Sequence, residues 1–526
     1  MKFNIQRYNI YSCTTISQGD VELCFDPAKI RNEDIKNISP NYIFISHESM
    51  DHMDPAQVYT LQKKKNAKIY CSIAAAVDLW QSFPYDYDFI KNINAMVPGS
   101  KIKCDNLLIE TCKSIHCDYM MPLVFKISLI DKQVSFLHCF DSIISNEIIE
   151  LSKNASLSII PIGIAKGVSV NSGIEFMNSL HSKMFLTNHF KSTKELIEFS
   201  KISDNDKCIY LDWNQQVSTS IPQTVVDISE YDLNLNYECL NTNTLKKIIC
   251  NFNSICCEII NNKTLLDRLF EIYKTSNIED KSILLIIYTL ICLLDSRKIN
   301  SAIFFELKND LLNDVSNENN SLNVVILFFL GIYAQQSNNV KFIDEAISLA
   351  NEKMEHLTYW VVQFLGRAIV ANKQTSYEIT NKLLNIISLQ PIYTSVVVRR
   401  QIFWELYRIM KTIPSLTSEF VSIFEDGLTD ENPDVELLAV LCFGLANRVQ
   451  MLTDSQLDKI FNLLNDQEDD VRETVLRIVR NLNHHDYIIN NKENLLDLIN
   501  DHNCHVSHEA MLTEQFIKEI ACEKLN

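Results

Sequence analysis

Apolar and polar positions change rhythm part-way along the chain. Through the first ~215 residues, short β-type runs are separated by turns or by helix-period stretches. They predict strands at Asn9–Thr15, Val21–Asp26, Tyr42–Ser46, Lys68–Cys71, Leu107–Cys112, Leu123–Ile130, Val134–His138, Leu157–Pro161 and Lys183–Thr187. Helical patterns between several of them predict helices over Ala56–Lys64, Ala74–Gln81 and Lys194–Ser200. Strands with interspersed helices predict an α/β domain over 1–220. Beyond a linker at 221–240 the β signal disappears. From 241 to 526 apolar residues recur at three and four, with short polar breaks, which predicts an all-α domain.

The C-terminal part also repeats itself. DENPDVELLAVL (Asp430–Leu441), DQEDDVRETVLR (Asp466–Arg477) and DHNCHVSHEAML (Asp501–Leu512) align on Val435, Val471 and Val506. Their separations are 471 − 435 = 36 and 506 − 471 = 35 residues. Each begins with Asp in a polar turn, followed by the valine and, four places later, Ala439, Val475 or Ala510. The Asp is read as capping the next helix, with the valine and its partner facing the neighbouring unit. This pattern resembles HEAT-type α-solenoid repeats, whose long curved faces hold proteins or peptides. The resemblance implies docking of a protein partner or self-association.

Composition narrows the class. The 526 residues are 47 % hydrophobic and 22 % charged, as in folded chains, and the length predicts two to four domains. Only 9 Gly and 11 Pro argue against an all-β chain. The start, MKFNIQRYNIYSC, lacks the apolar core of a signal peptide. The most apolar runs, Ile283–Leu294 and Val324–Ala334, fall short of the roughly 20 residues that span a bilayer and read as buried helices. Sixteen cysteines without a regular CxxC spacing predict reduced thiols and a cytoplasmic location, with Cys256 and Cys257 on a helix. Richness in Asn, Ile and Lys is compatible with an AT-rich, bacterial genome.

Residues 1–220 carry 22 Lys+Arg against 24 Asp+Glu, a net of −2; from the totals of 48 and 66, residues 221–526 carry 26 against 42, a net of −16. An acidic surface repels a phosphate backbone, which disfavours broad nucleic-acid binding. The cluster Arg399, Arg400, Arg408 and Lys411 reads as a solvated helix face.

The chemistry concentrates in ISHESMDHMDP (Ile45–Pro55), where His47, Asp51 and His52 occupy a loop after the strand YIFIS. Imidazole with carboxylate suits zinc, iron or manganese. Three later segments each supply one more donor near a strand end. SIHCD carries His116, FLHCFDS carries Asp141, and FLTNHF carries His189.

The order of these segments resembles the metallo-β-lactamase superfamily: HxHxDH, then a lone His, an Asp and a final His. SHESMDHMDP is most similar to the branch containing ascorbate-6-phosphate lactonase. VELCFDP, VPGS, LHCFDS and IIPIG match further family segments, so the resemblance covers about residues 5–215. It implies an αββα sandwich with the metal site at one edge of its two sheets, and one or two divalent ions (Zn, Mn or Fe). One ion would be held by Asp51, His52 and His189, the other by His47 and His116, with Asp141 bridging. Ser49 stands where the pattern has another histidine. A hydroxyl is a weak ligand beside imidazole, so the place beside Ser49 is expected to be weak or empty. Phe140 stands where the family usually has glycine.

The resemblance implies hydrolysis by metal-activated water, with Asp51 beside that water as proton shuttle. A phosphate-containing ester, lactone or phosphodiester is the favoured substrate, from the branch resembled and from Lys166 after the IIPIG strand. His138 is read as a packed or outer-shell histidine, and Asp54 as a cap for the helix at Pro55 or an orienter of a ligand histidine. His484, His485, His502, His505 and His508 read as surface residues of polar turns. Two other classes compete: a scaffold whose metal domain has become structural or regulatory, and a metal-dependent nuclease.

Overall fold

In this computed structural model the described residues are 1–115, 121–163, 168–190, 193–203, 206–227, 235, 237, 239–295, 311, 320–337, 355–371, 376–388, 396–449 and 452–523. Two compact units divide the chain, Met1–Leu294 and Asp295–Asn526.

Among its described residues the first unit has fourteen strands: β1 (Lys2–Arg7), β2 (Thr14–Gln18), β3 (Val21–Phe25), β4 (Tyr42–Ile45), β5 (Lys68–Ser72), β6 (Ile93–Met96), β7 (Lys101–Cys104), β8 (Leu107–Lys113), β9 (Leu123–Leu129), β10 (Val134–His138), β11 (Leu157–Pro161), β12 (Met184–Asn188), β13 (Cys208–Ile209) and β14 (Gln216–Ser220). They form two seven-stranded sheets, ordered β14-β1-β2-β3-β4-β5-β6 and β13-β12-β11-β10-β9-β8-β7. Each sheet is half antiparallel and half parallel. The switch falls at β3 in one sheet and at β10 in the other.

The inner faces share one core, in which Phe3 meets Phe136 and Phe44 meets Phe125 edge-on. A second core joins the outer face of β10–β12 to the helices Asn146–Leu151, Val170–Ser179 and Thr193–Ile202. Helices Pro55–Lys65 and Ile73–Ser82 belong to the other sheet, the latter packing on β5 and β6. The layers therefore run helix, sheet, sheet, helix.

The predicted strand Asn9–Thr15 is a correction. Residues 8–13 are all buried, with no alternating face; the Tyr8 N–H donates to the Cys13 carbonyl and the Cys13 N–H to the Asn9 side chain. They form a loop, and the strand starts at Thr14.

The end of the β pattern is not the end of the unit. Residues 221 and 224 bond to Met1 and Gln133, and the helices Thr242–Cys250 and Phe252–Asn261 pack on β6. β6 is an edge strand, whose unpaired backbone groups call for a cover. The side chain of Asn253 donates to the carbonyl of Ile93, and Cys250 joins the inter-sheet core. Cys256 and Cys257 lie on the second of these helices, the first half-buried and the second exposed.

The second unit consists of helices joined by turns, with no strand among its described residues. Helices Asn320–Ser337, Glu355–Ala371, Val396–Thr412, Pro433–Ala446, Asp469–Val479 and Cys504–Glu523 pack each against the next. Val435, Val471 and Val506 are buried, as are Ala439, Val475 and Ala510. The aspartates act differently from the expected caps. Asp430, Asp466 and Asp501 each accept the N–H two residues on, closing a turn ahead of the helix, while Asn432 caps the first of the three.

Arg399 and Arg472 each make a double bond pattern to the following turn, to Asp430 and Asp501. Arg399 is buried, and Arg400 and Arg408 pair with Asp434 and Glu405, so the expected solvated basic face is largely neutralised. Among the described residues no helix is long and apolar enough to cross a membrane.

Candidate metal centre

The carboxyl ends of β3, β4, β10 and β12 meet at one edge of the two sheets, and the loops leaving them carry the donors. Ligands commonly bind beyond strand carboxyl ends where sheet order switches, because the outgoing loops diverge there. Asp26 follows β3 directly, and its carboxylate accepts both the N–H and the hydroxyl of Ser46, each at 2.8 Å. That contact fixes the exit of β4 just before His47. Asp26, Phe140 and His189 have φ of 42°, 52° and 52°, left-handed conformations that turn the chain sharply beside the site.

His52 stands at the centre. Its Nδ1 lies 2.5 Å from Oδ2 of Asp26. Its Nε2 lies 3.2 Å from Nε2 of His189, 3.3 Å from Oδ2 of Asp141 and 3.5 Å from Oδ2 of Asp51. His47 joins from the other side, with Nε2 3.7 Å from Oδ2 of Asp141 and Nδ1 2.9 Å from the Ser46 hydroxyl. His47, His52, Asp141 and His189 are buried, while the Asp51 side chain keeps 23 % of its exposure.

These separations suit a metal. Four ligands about 2.1 Å from a tetrahedral ion stand about 3.4 Å from one another. Two sets of donor atoms converge, His47–His52–Asp141 and Asp51–His52–His189, each within 4.8 Å. The local field favours positive charge at the centre. Burial disfavours an imidazolium at His52, yet Asp51, Asp141 and Asp26 push its pKa well above the ordinary value. Burial would raise the Asp51 carboxyl, but His52, His189 and Lys29 hold it well below the usual carboxylate range. Asp26 moves the other way: burial raises it against the pull of His52 and Ser46.

The remaining expected residues are placed as follows. Ser49 donates its hydroxyl to Oδ1 of Asp51 at 2.5 Å. Asp54 caps the helix Pro55–Lys65, accepting from Ala56 and Gln57 N–H. His138 is fully buried, stacks on Phe140 with ring centres 3.9 Å apart, and accepts the Phe140 N–H at Nδ1. Burial, with His52 and His189 nearby, keeps it neutral. His116 and Lys166 lie outside the described residues. Ile115, just before His116, bonds to the Ser142 hydroxyl beside Asp141.

In the second unit, His484 accepts the Leu452 N–H and His502 is exposed, but His505 is buried, not at the surface. His485 packs edge-on to Phe516, and His508 is half-buried. Asp469, Asp501 and His502 form a further cluster, into which Arg472 already places its guanidinium.

Several supporting residues carry no local motif. Arg7, buried at the end of β1, donates to the carbonyls of Ile10 and Leu211 and lies 3.7 Å from the ring centre of Phe190. It thereby ties the loop after β1 to the segment after β13, against the ring of Phe190 next to His189. Tyr11 offers its carbonyl to the His189 N–H and its hydroxyl to Lys29. Asp26 and the DP pair it heads were the one signal available in advance. Ser46, Tyr11, Arg7 and Lys29 become visible only through contacts distant in sequence.

No family model matches the chain, and no curated protein matches it. Solved structures do. The metallo-beta-lactamase fold protein YhfI from Bacillus subtilis is 16 % identical over 41 % of this chain and 99 % of its own, with a TM-score of 0.35. The short form of human tRNase Z is 11 % identical over 42 % and 100 %, with a TM-score of 0.34. A designed armadillo repeat protein bound to a (KR)4 peptide is 16 % identical over 40 % and 98 %, with a TM-score of 0.29. Likenesses of this size leave the chain's own topology and side chains to define the centre: a buried imidazole–carboxylate donor set, spaced for a divalent ion, at the edge of a two-sheet α/β sandwich.

Proposed function

We propose that the first unit is a metal-dependent hydrolase of the metallo-β-lactamase type, acting on a phosphate-containing ester, lactone or phosphodiester. The supporting observation is the meeting of His52 Nε2 with His189 Nε2, Asp141 Oδ2 and Asp51 Oδ2 at 3.2–3.5 Å in a largely buried site. A divalent ion held there supplies a nucleophilic water at neutral pH and polarises a carbonyl or phosphoryl oxygen. Asp51 stays ionised and partly open to solvent, which fits a carboxylate that takes a proton from the attacking water. Asp26 holds the His52 ring with Nε2 facing the centre. Lys29, seated on Tyr11 and acting on the field at Asp51, is a cation suited to an anionic substrate group.

The second unit is read as a HEAT-like stack that docks a protein partner or self-associates. Support comes from the turn-and-helix pattern shared by Asp430, Asp466 and Asp501 and from helices packed in chain order. Sedimentation of the full chain across concentration separates self-association from a partner.

The test of the hydrolase is turnover of bis(p-nitrophenyl) phosphate and a phosphosugar lactone by the full chain loaded with Zn, Mn or Fe. Turnover by wild type that is lost in Asp141→Ala supports the reading; Lys29→Ala should raise KM by roughly fivefold, about 1 kcal/mol of lost charge attraction. Equal rates in wild type and Asp141→Ala overturn it.

A further inference from the structure

We infer that Ser49 is a positioning residue that makes this centre mononuclear: its hydroxyl is spent on orienting Asp51 toward one ion instead of helping to hold a second. The inference rests on the metal-site reading above and adds a stoichiometry and a role to it.

The geometry starts with the backbone. The carbonyl of Ser49 accepts the N–H of His52 at 2.9 Å and of Met53 at 2.7 Å. The two bonds close a turn over Ser49–His52, so Ser49 and Asp51 sit two residues apart on a fixed scaffold. Within it the Ser49 hydroxyl donates to Oδ1 of Asp51 at 2.5 Å. The other carboxylate oxygen, Oδ2, then lies 3.5 Å from His52 Nε2, on the side where His189 and Asp141 also converge. One oxygen is tied back and the other is presented.

A donor hydroxyl keeps its proton, and a protonated hydroxyl is a poor ligand beside imidazole nitrogen. The place on the His47 side thus gains no imidazole from position 49. Among the described residues its donors are His47, Asp141 and a His52 that also belongs to the other set, while His116, which the motif order assigns to this side, lies outside them. The Asp51 side has two imidazoles and two carboxylates within reach. Orientation by an outer-shell hydrogen bond is worth 10–100-fold in metal affinity where it has been removed from comparable sites, which sets the scale for Ser49.

Cobalt(II) is the probe, read by its visible ligand-field absorption and by elemental analysis of the full-length protein. Wild type should saturate at one cobalt per chain. Ser49→Thr, which keeps the hydroxyl, should match it in affinity and spectrum. Ser49→Ala should still bind one ion but about tenfold more weakly, with an altered spectrum as Asp51 loses its tether. Ser49→His should bind two. Wild type taking up two cobalt ions, or Ser49→Ala binding as tightly as wild type with the same spectrum, overturns the inference while leaving the metal-site reading standing. Wild type binding none overturns that reading and this inference with it.

Discussion

Asp26 and His52 are 26 residues apart in the chain and joined at 2.5 Å, Oδ2 to Nδ1. That contact decides which nitrogen of His52 faces the centre. Outer-shell carboxylates of this type fix ring orientation and raise ligand basicity. Asp26→Asn keeps an acceptor for Ser46 but gives up the negative charge. It should weaken metal binding about 10–100-fold while leaving the far-UV circular dichroism unchanged. Isothermal titration with zinc checks it.

Phe140 pits two effects against each other. Its φ of 52° costs roughly 1–2 kcal/mol for a residue with a Cβ. Its ring, however, is fully buried, stacked on His138 and packed against Phe25 and Phe125. Deleting such a ring costs about 3–5 kcal/mol. Phe140→Gly should therefore lower stability by about 2–3 kcal/mol in spite of the easier backbone, as urea denaturation would show.

Arg472 and Asp501 are both 6 % exposed in their side chains and share two hydrogen bonds. Removing one partner strands the other charge, which costs about 3–5 kcal/mol. Arg472→Ala should unfold the helical unit at markedly lower urea. The double variant Arg472→Met with Asp501→Leu should recover much of the loss.

Glu436 occupies the position one residue after Val435 that Arg472 holds after Val471. Instead of pairing with a carboxylate it faces Asp466. Burial, followed by Asp466 and Asp430, raises its pKa to about 7 from an ordinary 4.5. Between those two values the folded chain binds more protons than the unfolded one. Stability contributed by this site therefore falls as pH rises from about 4.5 to about 7. Glu436→Gln should flatten that dependence and stabilise the helical unit at pH 8, measured by thermal unfolding across the range.

The centre was legible where donors sit in short motifs at strand ends. His47, Asp51, His52, Asp141 and His189 could be named because each follows a strand whose apolar run is clear in sequence. Their supports could not. Arg7 acts through Ile10, Leu211 and Phe190, which only the closed sheets bring within reach. Strands failed for a related reason. β1 alternates between exposed polar and buried positions and relies on β14 and β2 for its pairing, and β14 (QVSTS) has no buried residue. β6 and β7 flank a turn at Gly99, whose φ of 76° marks the break, and their four residues each are too few for a period to register. The domain boundary read from periodicity marked where strands stop. Compactness continued through the helices that cover β6, because an edge must be covered whatever the local period.

Metal content of the full-length protein tests the central claim most directly. After loading with zinc, manganese or iron and exhaustive desalting, wild type should retain about one ion per chain by elemental analysis, and His52→Ala/His189→Ala less than about a tenth. Less than about a tenth of an ion in wild type, under every metal tried, would contradict a metal centre at the edge of these two sheets.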